Sequence, residues 1–381
     1  MPFRIIDTER IPIKLWLEEL ENDALQQAKN AANLIPAFHH VAIMPDAHTG
    51  YGVPIGCVLA TQDAVIPNAV GVDIGCGMCA ARLTVEFPGK KEIKQVMGEI
   101  RKRVPVGFDW HKDPQEWEGF DRAPDIEIIQ QNLEKARYQL GTLGGGNHFM
   151  EIQRGNDEHL WVMVHCGSRN FGLQIANHYH QLARTLCDER KIKAPNKDLS
   201  YLPAGSGKEG DAYMTAMNYA IEFAKANRDL IMKQILDVFS CESTEYINIH
   251  HNYAAFEHHF GSDVIVHRKG AVKAEKGEKG IIPGSQGSKS YIVEGLGNPE
   301  SFHSSSHGAG RIMGRKQARR QLSLKDEIEK MEKRGIIHAI RTEKDLDEAE
   351  SAYRDIDQVM HNQRDLVKIL VALTPLAVIK G

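Results

Sequence analysis

Apolar residues in the stretch LEELENDALQQAKNAANL (17–34) recur three and four apart among charged and amide residues, the spacing of a helix with one buried face. DIEIIQQNLEKARYQL (125–140) repeats that pattern, a stretch near 172–190 continues it, and GDAYMTAMNYAIEFAKANRDLIMKQILDVF (210–239) extends it over many turns. LKDEIEKMEKRG, after residue 323, reads as a charged helix, and AYRDIDQVM, around Tyr353, as another. HLWVMVH and EYINIHH read instead as strands, and the short apolar runs HHVAIMP, GCVLAT and AARLTVEF are bounded by turn-forming Gly and Pro. The chain ends on the largely apolar RDLVKILVALTPLAVIKG. Helical and strand patterns are interspersed, no Ser- or Gly-rich linker divides them, and no fixed-period repeat appears. The expectation is one compact α+β domain over residues 1–381, with its chemistry on loops.

Composition narrows the partners. The 381 residues carry a net charge of −4, so no global basic field draws in nucleic acid or an anionic membrane, and a polyanion site has to be local. Six cysteines are too few for a disulfide scaffold. No segment approaches the roughly 20 consecutive apolar residues of a membrane span, and the start, MPFRIIDTERIPIKLW, lacks an apolar run suited to a signal peptide. The expected address is a reducing cytoplasm, where thiols stay free.

Eight segments carry polar residues that no core requires: 44–56, 71–79, 141–151, 164–172, 249–253, 266–277, 280–293 and 304–311. Each couples His, Cys, Asp or a basic residue to glycine, which lets backbone N–H groups approach an anion. In GVDIGCGMC a carboxylate and two thiols sit in a stretch that otherwise reads as buried backbone. Asp73, Cys76, His148, His165 and His251 form a mixed oxygen, sulfur and nitrogen donor set scattered along the chain, as in a catalytic metal centre assembled by the fold. Such donors suit zinc, iron or manganese. Cys76 and Cys79 give half of a zinc-ribbon pattern with no second pair, so Cys79, with Cys57, Cys187 and Cys241, is expected to pack as a small hydrophobe. Of the neighbours His250 and His251, strand alternation lets one face the site, and His251 is the choice. His111, His159 and His361 read as surface or hydrogen-bonded residues, and KGAVKAEKGEKG by composition as a solvated loop.

GVDIGCGM, GTLGGGNHF, HCGSRNFG, HHNY, HRKGA, IPGSQG and SSSHGAGR, in this order, closely resemble the RtcB-type RNA ligases, and the resemblance runs from PDAH near residue 45 to the C-terminus. It implies an enzyme that joins RNA 3'-phosphate or 2',3'-cyclic phosphate ends to 5'-hydroxyl ends, using GTP and two manganese ions, in tRNA splicing or RNA repair. By motif, it implies Cys76 as a thiolate shared between the metals, with Asp73 and His148 on one side and His165 and His251 on the other. His307 matches the residue that becomes guanylylated. Contacts to GTP fall on Asn147, Phe149, Glu151, Asn252, Gly284, Ser285, Ala309, Gly310, Tyr353 and Lys380, and RNA or triphosphate phosphates on Arg169 and Lys269. An archease-type activating protein is a further implied partner, and no membrane is.

The residue chemistry is compatible with that implication. A neutral imidazole, with an ordinary pKa of about 6.5, is a competent nucleophile at phosphorus once cations neutralise the phosphates. Two glycines after His307 let the backbone close on a phosphate, and Arg311 adds charge. A metal-dependent phosphohydrolase or nuclease would use the same Asp, Cys and His donors but needs no separate nucleophilic histidine. A non-enzymatic RNA-binding module would call for a basic excess that the composition lacks. The acidic, Trp- and Pro-bearing segment 106–124 has no assigned role.

Overall fold

The computed structural model describes residues 1–205 and 208–381. Its largest element is a seven-stranded antiparallel sheet with the order Ser243–His250, Gly77–Leu83, Leu160–Cys166, Phe149–Gly155, Val367–Lys380, Ser290–Gly295, Lys279–Ile282. Both faces are covered. Cys79, Ala81, Val162 and Val164 point into one apolar cluster, shared with Ile231, Met232 and Ile235 of the long helix Lys208–Phe239, while Met78, Ala80, Trp161 and Met163 point into another. The period-two alternation of side chains along a strand produces this division.

A second sheet of six strands has the order Arg4–Ile6, Ile13–Leu15, Ala37–His48, Ile55–Thr61, Ser262–Lys269, Asn252–His259, antiparallel except where Ile13–Leu15 runs alongside Ala37–His48. The two sheets are stitched by one residue: His251 alone separates Ser243–His250 of the first from Asn252–His259 of the second. A short ribbon, Ala271–Lys273 against Ser304–Ser306, leads directly into His307.

The interspersed helices and sheets form the single compact α+β unit that the pattern predicts, with differences at particular elements. The first helix is confined to Asn22–Ala32, and Leu17 and Leu20 precede it. Helices Glu127–Gln139, Arg169–Glu189 and Leu324–Lys333 stand where the periodicity puts them. Helix Lys90–Arg103 was not foreseen: Ile93, Met97 and Ile100 are its buried stripe, but ten charged or amide and glycine neighbours dilute the pattern. Tyr353 lies ahead of its helix, which begins at Ile356 behind an Asp355 cap. Val367–Lys380 is a 14-residue central strand that tolerates Pro375 because the register shifts there. Among the described residues no helix is long and apolar enough to cross a membrane.

A buried polar hub on the long helix fastens the loops at one end of the larger sheet. Arg228 donates from Nη1 to the Gly75 and Cys166 carbonyls at 2.9 Å each. Asn227 accepts from the Gly141 amide at 2.7 Å and donates to the Gly167 carbonyl at 3.2 Å. Leaving such groups unpaired in the interior would cost about 1–3 kcal/mol each, so the helix holds these loops in place.

Candidate active site

Sheet register assembles the donor cluster. His250 is opposite Gly77, Gly77 opposite Cys166, and His165 opposite both Met78 and Phe149, while Phe149 faces Lys380. Four neighbouring strands therefore present His251, Cys76, His165 and His148 at the same sheet end, with Lys380 on the fifth. Cys76 Sγ lies 3.4 Å from His148 Nε2 and 3.3 Å from His165 Nε2. His148 Nε2 is 3.0 Å from Asp73 Oδ2, and His165 Nε2 is 3.4 Å from His251 Nε2. Glycines make this density possible. A Cβ on Gly144 would fall 2.1 Å from His148 Nδ1, and one on Gly167 2.1 Å from Asp73 Oδ1.

The cluster fits a cation. Cys76, His148 and His165 offer ligand atoms all within 4.8 Å of one another. Burial, reinforced by Asp73, pushes the Cys76 thiol up to about 12, and burial with neighbouring imidazoles drives His165 and His251 well below the ordinary imidazole range. His165 donates from Nδ1 to the Asn147 carbonyl at 3.0 Å, which leaves the Nε2 lone pair directed at the cluster. His165 is a neutral ligand aimed at a buried thiol, whereas His148, which burial would lower, is held well above the ordinary imidazole range by Cys166, Cys76 and Asp73; a bound cation is what would let that imidazole and the thiol give up their protons. His251 Nδ1 is buried without a partner among the described residues. His250 turns away, its ring 4.3 Å from that of Tyr253. Cys79 is buried on the helix-facing side of the sheet, Sγ 3.8 Å from the Arg228 carbonyl, well apart in role from Cys76.

Next to the cluster opens a cavity of about 690 Å³ lined by His165 and His307 and by Asn147, Phe149, Glu151, Gly284, Ser285, Ala309, Gly310, Tyr353 and Lys380. His307, its ring 4.8 Å from that of His251, joins the two regions. Asp46, at the end of strand Ala37–His48, fixes it: Oδ2 accepts from His307 Nδ1 at 2.6 Å, from the His307 amide at 3.1 Å and from the Gly308 amide at 3.2 Å. That leaves Nε2 as the ring's free nitrogen.

The far wall is cationic. Arg311 Nη1 and Arg315 Nε donate to the buried Glu348 carboxylate at 2.9 and 2.8 Å, and the Tyr353 hydroxyl bonds the same group. Burial would raise Glu348, but Lys380, Arg311 and Arg315 outweigh it and hold the carboxyl below its ordinary value. Lys316 and Arg320 add charge at the rim. Glu151, also buried, is pushed up to about 8, the pull of Lys380 and of Gln153 being too weak to offset burial.

Three expected contact residues lie off the cavity. Asn252 braces two loops, donating to the Asp73 carbonyl at 3.1 Å and accepting from the Gly270 amide at 2.8 Å. Arg169 donates to Thr142 Oγ1 at 3.0 Å and to the Gly107 carbonyl at 2.9 Å, while its Nη1 shares the Gly144 flank with His148. Lys269 is buried, with Nζ donating to the Tyr51 and Asn68 carbonyls, and burial lowers it to about 8. Asp46, Glu348 and Arg315 were not anticipated from sequence. Only Asp46 had a local signal, its place in the glycine-rich MPDAHTGYGVPIG.

A family model described as tRNA-splicing ligase RtcB matches residues 27–125 and 110–381. The chain is 38% identical to the RNA-splicing ligase RtcB of Escherichia coli K12, with all of both chains covered. It is 32% identical to the tRNA-splicing ligase RtcB of Nanoarchaeum equitans, covering all of this chain and 95% of that one. To the RNA-splicing ligase RtcB homolog 1 of Entamoeba dispar it is 32% identical over 94% of this chain and 82% of the other. With donor cluster, held histidine and cationic cavity all carried by the matched residues, these likenesses show that the chain belongs to the RtcB family.

Proposed function

We propose that this protein is an RNA ligase, a single catalytic domain over residues 1–381, that joins 3'-phosphate or 2',3'-cyclic phosphate ends to 5'-hydroxyl ends with GTP and two manganese ions. The observation that carries the reading is the placement of His307. It is held by Asp46 at Nδ1, stands outside the donor cluster, and adjoins both that cluster and a cavity walled by cations. A phosphohydrolase working through the same donors would have no use for this histidine or for the cation-walled cavity beside it.

Cys76 would be shared between two ions, with Asp73 and His148 completing one shell and His165 and His251 the other. Bound there, manganese would neutralise phosphate charge and order the line of attack. His307 Nε2 attacks the α-phosphorus of GTP, pyrophosphate leaves, and a phosphoramidate to GMP forms. GMP then passes to the RNA 3'-phosphate to give RNA-pp-G, and a 5'-hydroxyl displaces GMP to close the phosphodiester. A cyclic phosphate is first opened by water. Asp46 holds the Nδ1 proton so that the Nε2 lone pair faces phosphorus. Lys380, Arg311 and Arg315 supply charge for the triphosphate, and Asn147, Phe149, Glu151, Gly284, Ser285, Ala309, Gly310 and Tyr353 shape the nucleotide's space. Arg169, beside His148, is suited to an RNA phosphate. The paired amine of Lys269 and the bracing amide of Asn252 favour loop-holding roles over direct contact. The setting is cytoplasmic tRNA splicing or RNA repair, with an archease-type protein as activating partner.

The test is incubation with GTP labelled at the α-phosphate and manganese, followed by denaturing electrophoresis. Wild type should carry label. His307→Ala should carry none, keep its metal, and still join a strand supplied as RNA-pp-G, because the last displacement needs no histidine nucleophile. Loss of RNA terminal phosphate with no protein label at any stage would favour the phosphohydrolase.

A further inference from the structure

Phe108 is 100% exposed, and Trp110 two residues later is 42% exposed. Their loop is nonetheless firmly anchored. Leu143 donates its amide to the Pro105 carbonyl at 2.8 Å, His111 donates its amide to the Tyr138 carbonyl at 3.0 Å, and the His111 ring bonds the Gly141 carbonyl at 3.1 Å. Between these ties, the Gly107 carbonyl accepts from Arg169 Nη2 at 2.9 Å. All four anchors belong to Arg169 or to the chain just before Asn147 and His148. Gly107 Cα lies 3.8 Å from where a Cβ on Gly145 would sit, and Arg169 Nη1 and His148 Nδ1 both flank Gly144. A free aromatic ring therefore stands one arginine away from the donor cluster.

The surroundings suit a polyanion. Helix Lys90–Arg103 ends on Arg101, Lys102 and Arg103, all exposed, and runs straight into this loop. From 101 to 112 Asp109 is the sole acid against four basic residues, in a chain whose net charge is −4. Arg169 is held at φ +58°, a left-handed conformation that a side chain with Cβ rarely adopts and that clusters at functional sites. An enzyme that handles RNA ends of differing sequence has to grip bases without reading them, and stacking on an aromatic face does this because every base has one.

We propose that Phe108, with Trp110 beside it, is a stacking platform for an unpaired base near the end of the RNA strand whose terminal phosphate lies at Arg169. This rests on the RNA-ligase reading and adds to it a substrate-positioning site outside the cavity. It gives the 106–124 segment a role at its N-terminal end.

Two measurements test it. In the first, a short 3'-phosphate oligonucleotide with 2-aminopurine at successive positions is titrated into the full chain. Fluorescence quenching is expected at one position near the end, lost in Phe108→Ala and kept in Phe108→Trp. In the second, joining kinetics are followed: Phe108→Ala should raise KM for RNA about 10-fold, in the range of a lost stacking contact, with His307 labelling by GTP unchanged. An abasic site at the quenched position should raise KM for wild type and add nothing to Phe108→Ala. Wild type that quenches but never joins would remove the ligase reading and leave the platform standing. Joining by wild type with no quenching, Phe108→Leu behaving as well as Phe108→Trp, or a Phe108→Ala defect confined to assays containing an activating protein would each overturn the platform, the last in favour of a protein-docking surface.

Discussion

One oxygen of Asp46 accepts from the ring and the backbone amide of His307, 261 residues away, and from the amide of Gly308. The carboxylate is fully buried, and its other oxygen has no partner among the described residues. This arrangement specifies the Nδ1–H tautomer and leaves Nε2 as the only ring nitrogen able to attack. Asp46→Asn keeps the shape but can present an N–H where an acceptor is needed. Labelling by GTP should slow by about 10- to 100-fold, the range seen when a histidine loses its orienting partner, with metal content unchanged. An undiminished labelling rate would show that the ring is positioned by other means.

The two thiols of the Cys76–Cys79 pair should separate cleanly. Cys76 Sγ meets two imidazoles, whereas Cys79 points to the opposite, helix-packed side of the sheet. Cys76→Ala should lose bound manganese and all joining. Cys79→Ala should retain both and lose only packing, about 1 kcal/mol for a small buried group. Elemental analysis of the two purified variants decides the matter, and metal loss in Cys79→Ala alone would reverse the assignment.

Arg169 and Lys269 should also part company. Arg169→Ala should impair joining far more than the loss of its bonds to Thr142 and the Gly107 carbonyl lowers the melting temperature. Lys269→Ala strands the Tyr51 and Asn68 carbonyls in the interior and should destabilise by about 2–4 kcal/mol. Thermal melts beside joining rates check this. A Lys269→Ala protein that melts like wild type but cannot join would return the lysine to a phosphate-binding role.

Glu151 sets a pH dependence. Its carboxyl is raised to about 8 in the folded protein by burial, against about 4.3 when unfolded. Between those values the folded state binds the extra proton, so stability falls as pH rises from about 4.3 towards about 8 and levels off above. Glu151→Gln is neutral throughout and can still accept from Gln153, which donates to Glu151 at 2.6 Å. The stability of this variant relative to wild type should therefore climb across that window in nucleotide-free protein. Denaturant midpoints that stay parallel from pH 5 to pH 8 would mean that Glu151 is already ionised in the fold.

Local patterning by itself determined much of this protein. Strands such as Leu160–Cys166 and helices such as Lys208–Phe239 are legible because side-chain period and burial agree over many residues. The donor residues are legible because histidines, a cysteine and an aspartate set among glycines have no packing purpose. Helix Lys90–Arg103 carried a readable stripe, Ile93, Met97 and Ile100, that its charge obscured. What only the tertiary structure decided is which ordinary residues become partners. Asp46 and Glu348 look like any carboxylates until strand register and loop closure bring one to His307 and the other to Arg311 and Arg315. Lys269 reads as a solvent-facing cation beside a lysine-rich loop, yet its strand lies inside the six-stranded sheet, between Ile55–Thr61 and Asn252–His259, so its amine is buried against carbonyls. Periodicity along the chain encodes which face is buried, but a contact between residues hundreds of positions apart depends on how two sheets meet, and no local pattern carries that information.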